Sequence, residues 1–158
     1  MRWYKFFIVL AIGLATELLF ALPTGVLVRA NGEWIASLTL PYFVPKSPLF
    51  FTLLTGVMHV SSALSLALYV EWTRDLPRGI LLTVQESASE IIFLVFFFEL
   101  TYEITSFFIA TGCLAVSILT YCAYAKRNVA AGAARLPILS VKIYLWTALY
   151  CVLMLNFT

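Results

Sequence analysis

The chain has 158 residues, of which 63% are hydrophobic and 11% charged, with a formal net charge of +2. Its mean hydropathy of +0.98 lies far from that of soluble globular domains, in which about a quarter of the residues are charged. The composition excludes a soluble domain and offers no basic excess for nucleic acid, so the surplus apolar surface is expected to meet lipid.

Crossing about 30 Å of hydrocarbon takes about 20 apolar helical residues. Five segments qualify: about 6–28, 49–70, 79–98, 103–125 and 137–156. The fold expected is an all-α, integral membrane, five-helix bundle forming one domain over 1–158. The first segment follows Arg2 and Lys5, as a signal peptide would. It also carries Glu17, has the length of a span and lacks a small-residue cleavage site, so it is read as the first span. Between the first two spans lies 30–48, "ANGEWIASLTLPYFVPKSP", too rich in proline for a helix interior and expected to form an ordered lid.

The basic residues are unevenly shared between the two ends of the spans. Arg2, Lys5, Arg74, Arg78, Lys126, Arg127 and Arg135 fall on one side, against Arg29 and Lys46 on the other. The positive-inside rule then places the N-terminus in the cytoplasm and the C-terminus outside. Cys113, Cys122 and Cys151 all fall within apolar runs and read as small buried hydrophobes rather than disulfides or metal ligands. Asn156-Phe-Thr158 matches a glycosylation acceptor, but at the last residues, and is taken as chance.

The charges within the spans are the informative exceptions, since a carboxylate in the bilayer is costly unless it faces the bundle interior and finds a partner. Counting depth at 1.5 Å per residue brings Glu17, His59 and Glu90 to the midplane, with Glu86 one turn toward the cytoplasm and Lys142 level with it. Glu86 and Lys142 are therefore expected partners. Glu86, Glu90, Phe93 and Phe97 share one helical face, as do Lys142, Trp146, Leu149 and Leu153. Helix-to-helix packing is the plain alternative for such polar contacts. With His59 as the nearest titratable cation by depth, Glu90 is expected to be neutral. No metal motif accompanies His59. Ala63 and Ala67 are spaced for a close helix contact, which would permit a homodimer.

The lid and the start of the second span read "WIASLTLPYFVPKSPLFFTLLT". Trp34, Leu38, Pro41, Phe43, Pro45, Phe50 and Thr55 fall in register with a signature of the TspO/MBR family of tryptophan-rich sensory and translocator proteins, which the chain resembles. Glu86, Glu90, Phe93 and Phe97-Phe98 stand where that family has Gln, Asn, Trp and a Phe pair. Leu136, Pro137, Leu139, Leu155 and Asn156 fit its pattern in the fifth span. The resemblance covers about residues 34–156, with departures at Lys46, Leu54, Val141, Leu145 and Leu149.

This resemblance implies a cavity closed by the first loop, which binds flat apolar ligands. Porphyrin or haem is the implied tetrapyrrole ligand, sterols are a further class, and no cofactor is obligatory. The implied membrane is a prokaryotic cell membrane. The residues expected to line the site are Trp34, Pro41, Phe43, Pro45, His59, Glu86, Glu90, Phe93, Phe97, Lys142, Leu145 and Trp146. Where the family has neutral amides, Glu86 and Glu90 change the pocket's charge. Receptor-like binding leads this reading. A secondary carrier, for which midplane charges speak, and a porphyrin-degrading enzyme are the alternatives. Leu54 and Val141 replace family tryptophans, which argues against catalysis. A Leu119-to-Lys126 sterol-recognition pattern carries little information.

Overall fold

The structure, a computed structural model, describes residues 3–99 and 103–156. The described residues contain helices and no strand. Seven helices follow in order: α1 (Trp3–Ala30), α2 (Gly32–Ser37), α3 (Pro48–Thr73), α4 (Leu76–Leu94), α5 (Glu103–Ala125), α6 (Val129–Ala133) and α7 (Leu136–Asn156). A π-helical turn, Val95–Glu99, extends α4. Five stretches are long and apolar enough to cross a membrane: Trp3–Ala30, Leu49–Thr73, Leu76–Phe97, Ile104–Ala125 and Val129–Asn156. Apolar side chains also cover the outside of the bundle, with Leu19 70%, Phe108 69% and Leu119 68% exposed. Such a surface is stable only against lipid, and the chain is a multi-pass membrane protein.

The five long helices close into a ring. Helix α1 packs on α3, α3 on α7, α7 on α5, α5 on α4, and α4 back on α1. Helix α1 approaches α3 most closely at Gly13, where an added Cβ would stand 3.1 Å from Ala63 Cα. Ala63 and Ala67 are fully buried inside the single chain. The small-residue pair thus serves an intramolecular contact, and it offers no outer face to a second copy.

The two ends of the ring are built differently. At the end holding the α3–α4 turn, Arg74 adopts a left-handed conformation (φ 58°) to close α3, and Asp75 caps α4 by accepting from the Arg78 amide at 3.2 Å. Asn128 caps α6 through the Ala130 amide at 2.9 Å, while its Nδ2 donates to the Leu68 carbonyl at 3.1 Å. Gly132 brings α6 against the end of α5. A Cβ there would lie 2.8 Å from Ala125 Cα. This end, the turn end, is tightly packed around Tyr69 and Tyr124, whose rings sit 4.6 Å apart.

The opposite end is covered by residues 32–47. The prolines begin only at Pro41, so Gly32–Ser37 forms a short helix where an irregular lid is expected from composition alone. Beyond it the chain is non-helical up to α3. Two anchors hold it: Asn156 accepts from the Thr39 amide at 2.7 Å and donates to the Thr39 carbonyl at 2.9 Å. Its amide thus pairs with the lid backbone as a neighbouring strand would. Tyr144 Oη donates to the Phe43 carbonyl at 3.0 Å.

Candidate functional site

A cavity of about 290 Å³ lies inside the ring at the lid end. All five long helices and the lid contribute to its wall. Ile35, Leu38, Leu40 and Val44 come from the lid; Phe93 and Phe97 come from α4 and its π turn; Leu145, Trp146 and Leu149 come from α7. The Phe93 and Phe97 rings stack with centroids 5.6 Å apart, an aromatic wall of the kind that packs on a planar ligand. The π turn keeps Phe97 on the cavity side at the point where α4 ends, in line with the frequent placement of such turns at binding sites.

Of the residues expected at the site, His59, Glu90, Phe93, Phe97, Lys142, Leu145 and Trp146 line this cavity. The remaining five do not. Trp34 backs the wall, its ring edge-on to Phe97 at 5.0 Å. Phe43 packs on Tyr144 at 6.1 Å, turned away by the bond its own carbonyl accepts. Within the lid, Pro41 is buried and Pro45 is exposed. The lid therefore meets the cavity with aliphatic side chains rather than with its aromatic and proline residues. Glu86 lies below the cavity floor, at a small crevice that it shares with Glu17, His59, Ser87 and Glu90.

The floor is a continuous network of charge. Lys142 Nζ donates to Glu86 Oε1 at 3.0 Å and to Ser117 Oγ at 2.6 Å, and lies 2.6 Å from Glu90 Oε1. The pairing expected from depth between α4 and α7 is thus present, and it extends to both carboxylates. Arg135 grips Glu86 Oε2 from the turn end with both terminal nitrogens, at 3.0 and 2.6 Å, and lies 4.3 Å over the Tyr124 ring. Sequence reading assigns Arg135 to a solvated loop, beside Lys126 and Arg127. In the structure it is 1% exposed, because small residues in α6 let the chain fold inward just before α7. The signal for it is the long reach of an arginine at a span entrance, which can place its charge a turn deeper than its Cα.

The midplane trio also divides differently from its depths. His59 Nδ1 pairs with Glu17 Oε2 at 2.6 Å, and Ser87 Oγ donates weakly to the same oxygen at 3.4 Å. Glu90 is held by Lys142 instead. His59 is thus not the cation nearest to Glu90: two carboxylates, Glu86 and Glu90, here face two cations, Arg135 and Lys142. Depth along a helix was legible; the rotation of α1 and α3 about their axes was not. Of the cysteines, Cys113 is buried and lines the cavity, but Cys122 is exposed on the lipid side, a correction to its reading as a buried residue. Among the described residues no cluster of His, Cys, Asp or Glu could hold a metal ion.

The fold and the cavity define a class: an all-α, multi-pass membrane protein with an internal apolar chamber floored by ion pairs. The chain matches no protein-family model and no curated protein.

Proposed function

We propose that the chain is a divergent TspO/MBR-like membrane receptor that binds flat apolar ligands inside the helix ring. One observation carries this reading: an apolar cavity of about 290 Å³ walled by five helices, with stacked Phe93 and Phe97 on one side and a lid fastened at Thr39 and Phe43. Ligand sites are typically such chambers, mostly apolar with a few polar groups at one end. The volume stands at the lower limit for ligand sites, about 300 Å³. Compact fused-ring compounds therefore suit the cavity as it stands, and a tetrapyrrole or sterol would need a larger chamber. The exposed cations Lys5, Arg74, Arg78, Lys126 and Arg127 on the turn side, against Arg29 and Lys46 on the lid side, support a lid that faces away from the cytoplasm.

A secondary carrier is the second reading, favoured by the buried ion-pair network at the membrane centre. Intrinsic fluorescence tests the binding function, because Trp146 lines the cavity and Trp34 touches its wall. Protoporphyrin, haem, a sterol and compact fused-ring compounds, each titrated into purified protein, should include at least one that quenches saturably. Filling the cavity with Leu145→Trp should abolish that saturation. Quenching that is linear for every compound, or unchanged by Leu145→Trp, would contradict the proposal. Flux of a bound compound into proteoliposomes would move the assignment from receptor to carrier.

A further inference from the structure

Among the described residues, the side-chain hydrogen-bond donors on the cavity wall are committed to partners, with one titratable exception. Thr24 and Thr55 donate to carbonyls of their own helices, at Phe20 and Phe51. Cys113 donates to the Ser89 carbonyl and Trp146 Nε1 to Thr111 Oγ1. The three ammonium protons of Lys142 are matched by Glu86, Glu90 and Ser117. Only the His59 ring, whose Nδ1 is tied to Glu17, retains an uncommitted nitrogen. An acceptor, by contrast, is open. The Glu90 side chain is 25% exposed and lines the cavity, and only its Oε1 is engaged, by Lys142.

The charge count at the floor points the same way. Three carboxylates (Glu17, Glu86, Glu90) face Arg135, Lys142 and His59, and each of these cationic or titratable groups is already paired with a carboxylate. Glu17 is 2% exposed, and its Oε1 has no hydrogen-bond partner although it borders the crevice beneath Glu90. An open carboxylate oxygen at a floor whose cations are already paired favours a positively charged donor and disfavours an anion, since burial strengthens both effects.

We propose that the cavity selects apolar ligands bearing a protonated amine, with the ammonium seated on Glu90 at the floor and the apolar body between Phe93, Phe97 and Leu149. This proposal rests on the cavity being a ligand site and adds its head-group specificity. Ligands whose polar group is a carboxylate would meet Glu90 with no uncommitted permanent cation to receive them.

The test uses three compounds of one shape: naphthylethylamine, naphthylethanol and naphthylacetate. Each is measured at neutral pH by equilibrium dialysis against the full chain in neutral detergent, with uptake by protein-free micelles subtracted. The amine should bind about tenfold more tightly than the alcohol, the smaller end of the effect of a hydrogen bond to a charged group. The acetate should bind more weakly than the alcohol. In Glu90→Gln the amine's advantage should fall to about threefold or less while the alcohol still binds saturably, which also reports an intact cavity. Equal binding of amine and alcohol to the parent would overturn the head-group proposal and leave the cavity reading standing. An amine preference that survives Glu90→Gln would overturn the role of Glu90. If none of the three binds saturably, both the head-group proposal and the cavity reading fail.

Discussion

The two halves of the helix ring use similar residues to opposite ends. At the turn end, polar groups are packed to completion: Tyr124 Oη donates to the Gly79 carbonyl at 3.0 Å and contacts Thr83 Oγ1 at 3.2 Å, while Arg135 covers its ring and neutralises Glu86. At the lid end the same ring of helices fails to fill its centre and leaves a chamber. The difference lies in side-chain reach. Arg135, Tyr69 and Tyr124 extend across the axis at one end, while at the other Thr55, Ala110, Cys113 and Ala148 stop short of it. Lys142 marks the boundary, facing Glu86 below and Glu90 above. One half holds the helices in place so that the other half can remain hollow.

If that division is right, substitutions at the turn end should lower stability, and substitutions at the lid end should alter binding with the fold intact. The largest effect is expected from Glu86→Ala, which strands Arg135 as a bare buried cation and removes a partner from Lys142. Breaking a buried pair in this way costs about 3–5 kcal/mol, and thermal unfolding in detergent should report it. Adding Arg135→Met should recover part of the loss, because no stranded guanidinium then remains. A second turn-end change, Gly132→Ala, places a Cβ against Ala125. It should cost about 1–3 kcal/mol as an overpacked contact, read in the same melt.

Lid-end substitutions should separate binding from stability. Leu145→Trp fills the chamber and should weaken ligand binding at least about tenfold, or 1.4 kcal/mol, with the melting temperature unchanged or higher. The smallest effect is expected from Asn156→Ala, which removes both hydrogen bonds to Thr39 in a partly exposed setting. At about 0.5–1.5 kcal/mol for each bond, ligand dissociation should accelerate several-fold while the fold persists. Stopped-flow displacement would measure it. An Asn156→Ala protein that releases ligand at the parental rate would show that the lid does not control access.

Hydropathy made the five spans legible in the sequence, since length and apolar content alone mark a membrane helix. The Glu86–Lys142 pair was legible for a related reason: both residues sit mid-span, and each requires a counter-charge at its own depth. Three features were hidden. Arg135 acts at a distance from its backbone, so its position in a basic stretch conceals a buried role. The Glu17–His59 pair depends on the rotation of α1 about its axis, and α1 is apolar on all sides, so its sequence carries no preferred face. The lid is irregular beyond Ser37, and no periodicity indicates that Leu38, Leu40 and Val44 turn inward while Phe43 turns toward Tyr144.

The central claim is that ligand occupies the lid-end chamber and no other part of the ring. Photolabelling with a small apolar diazirine, followed by peptide mapping with and without excess competitor, tests this most directly. The account predicts competitor-sensitive labelling on Phe93, Leu145 and Leu149, with none on Thr83 or Ile138. Labelling that is confined to outward residues such as Leu119 and Phe108, or that is indifferent to competitor, would contradict it.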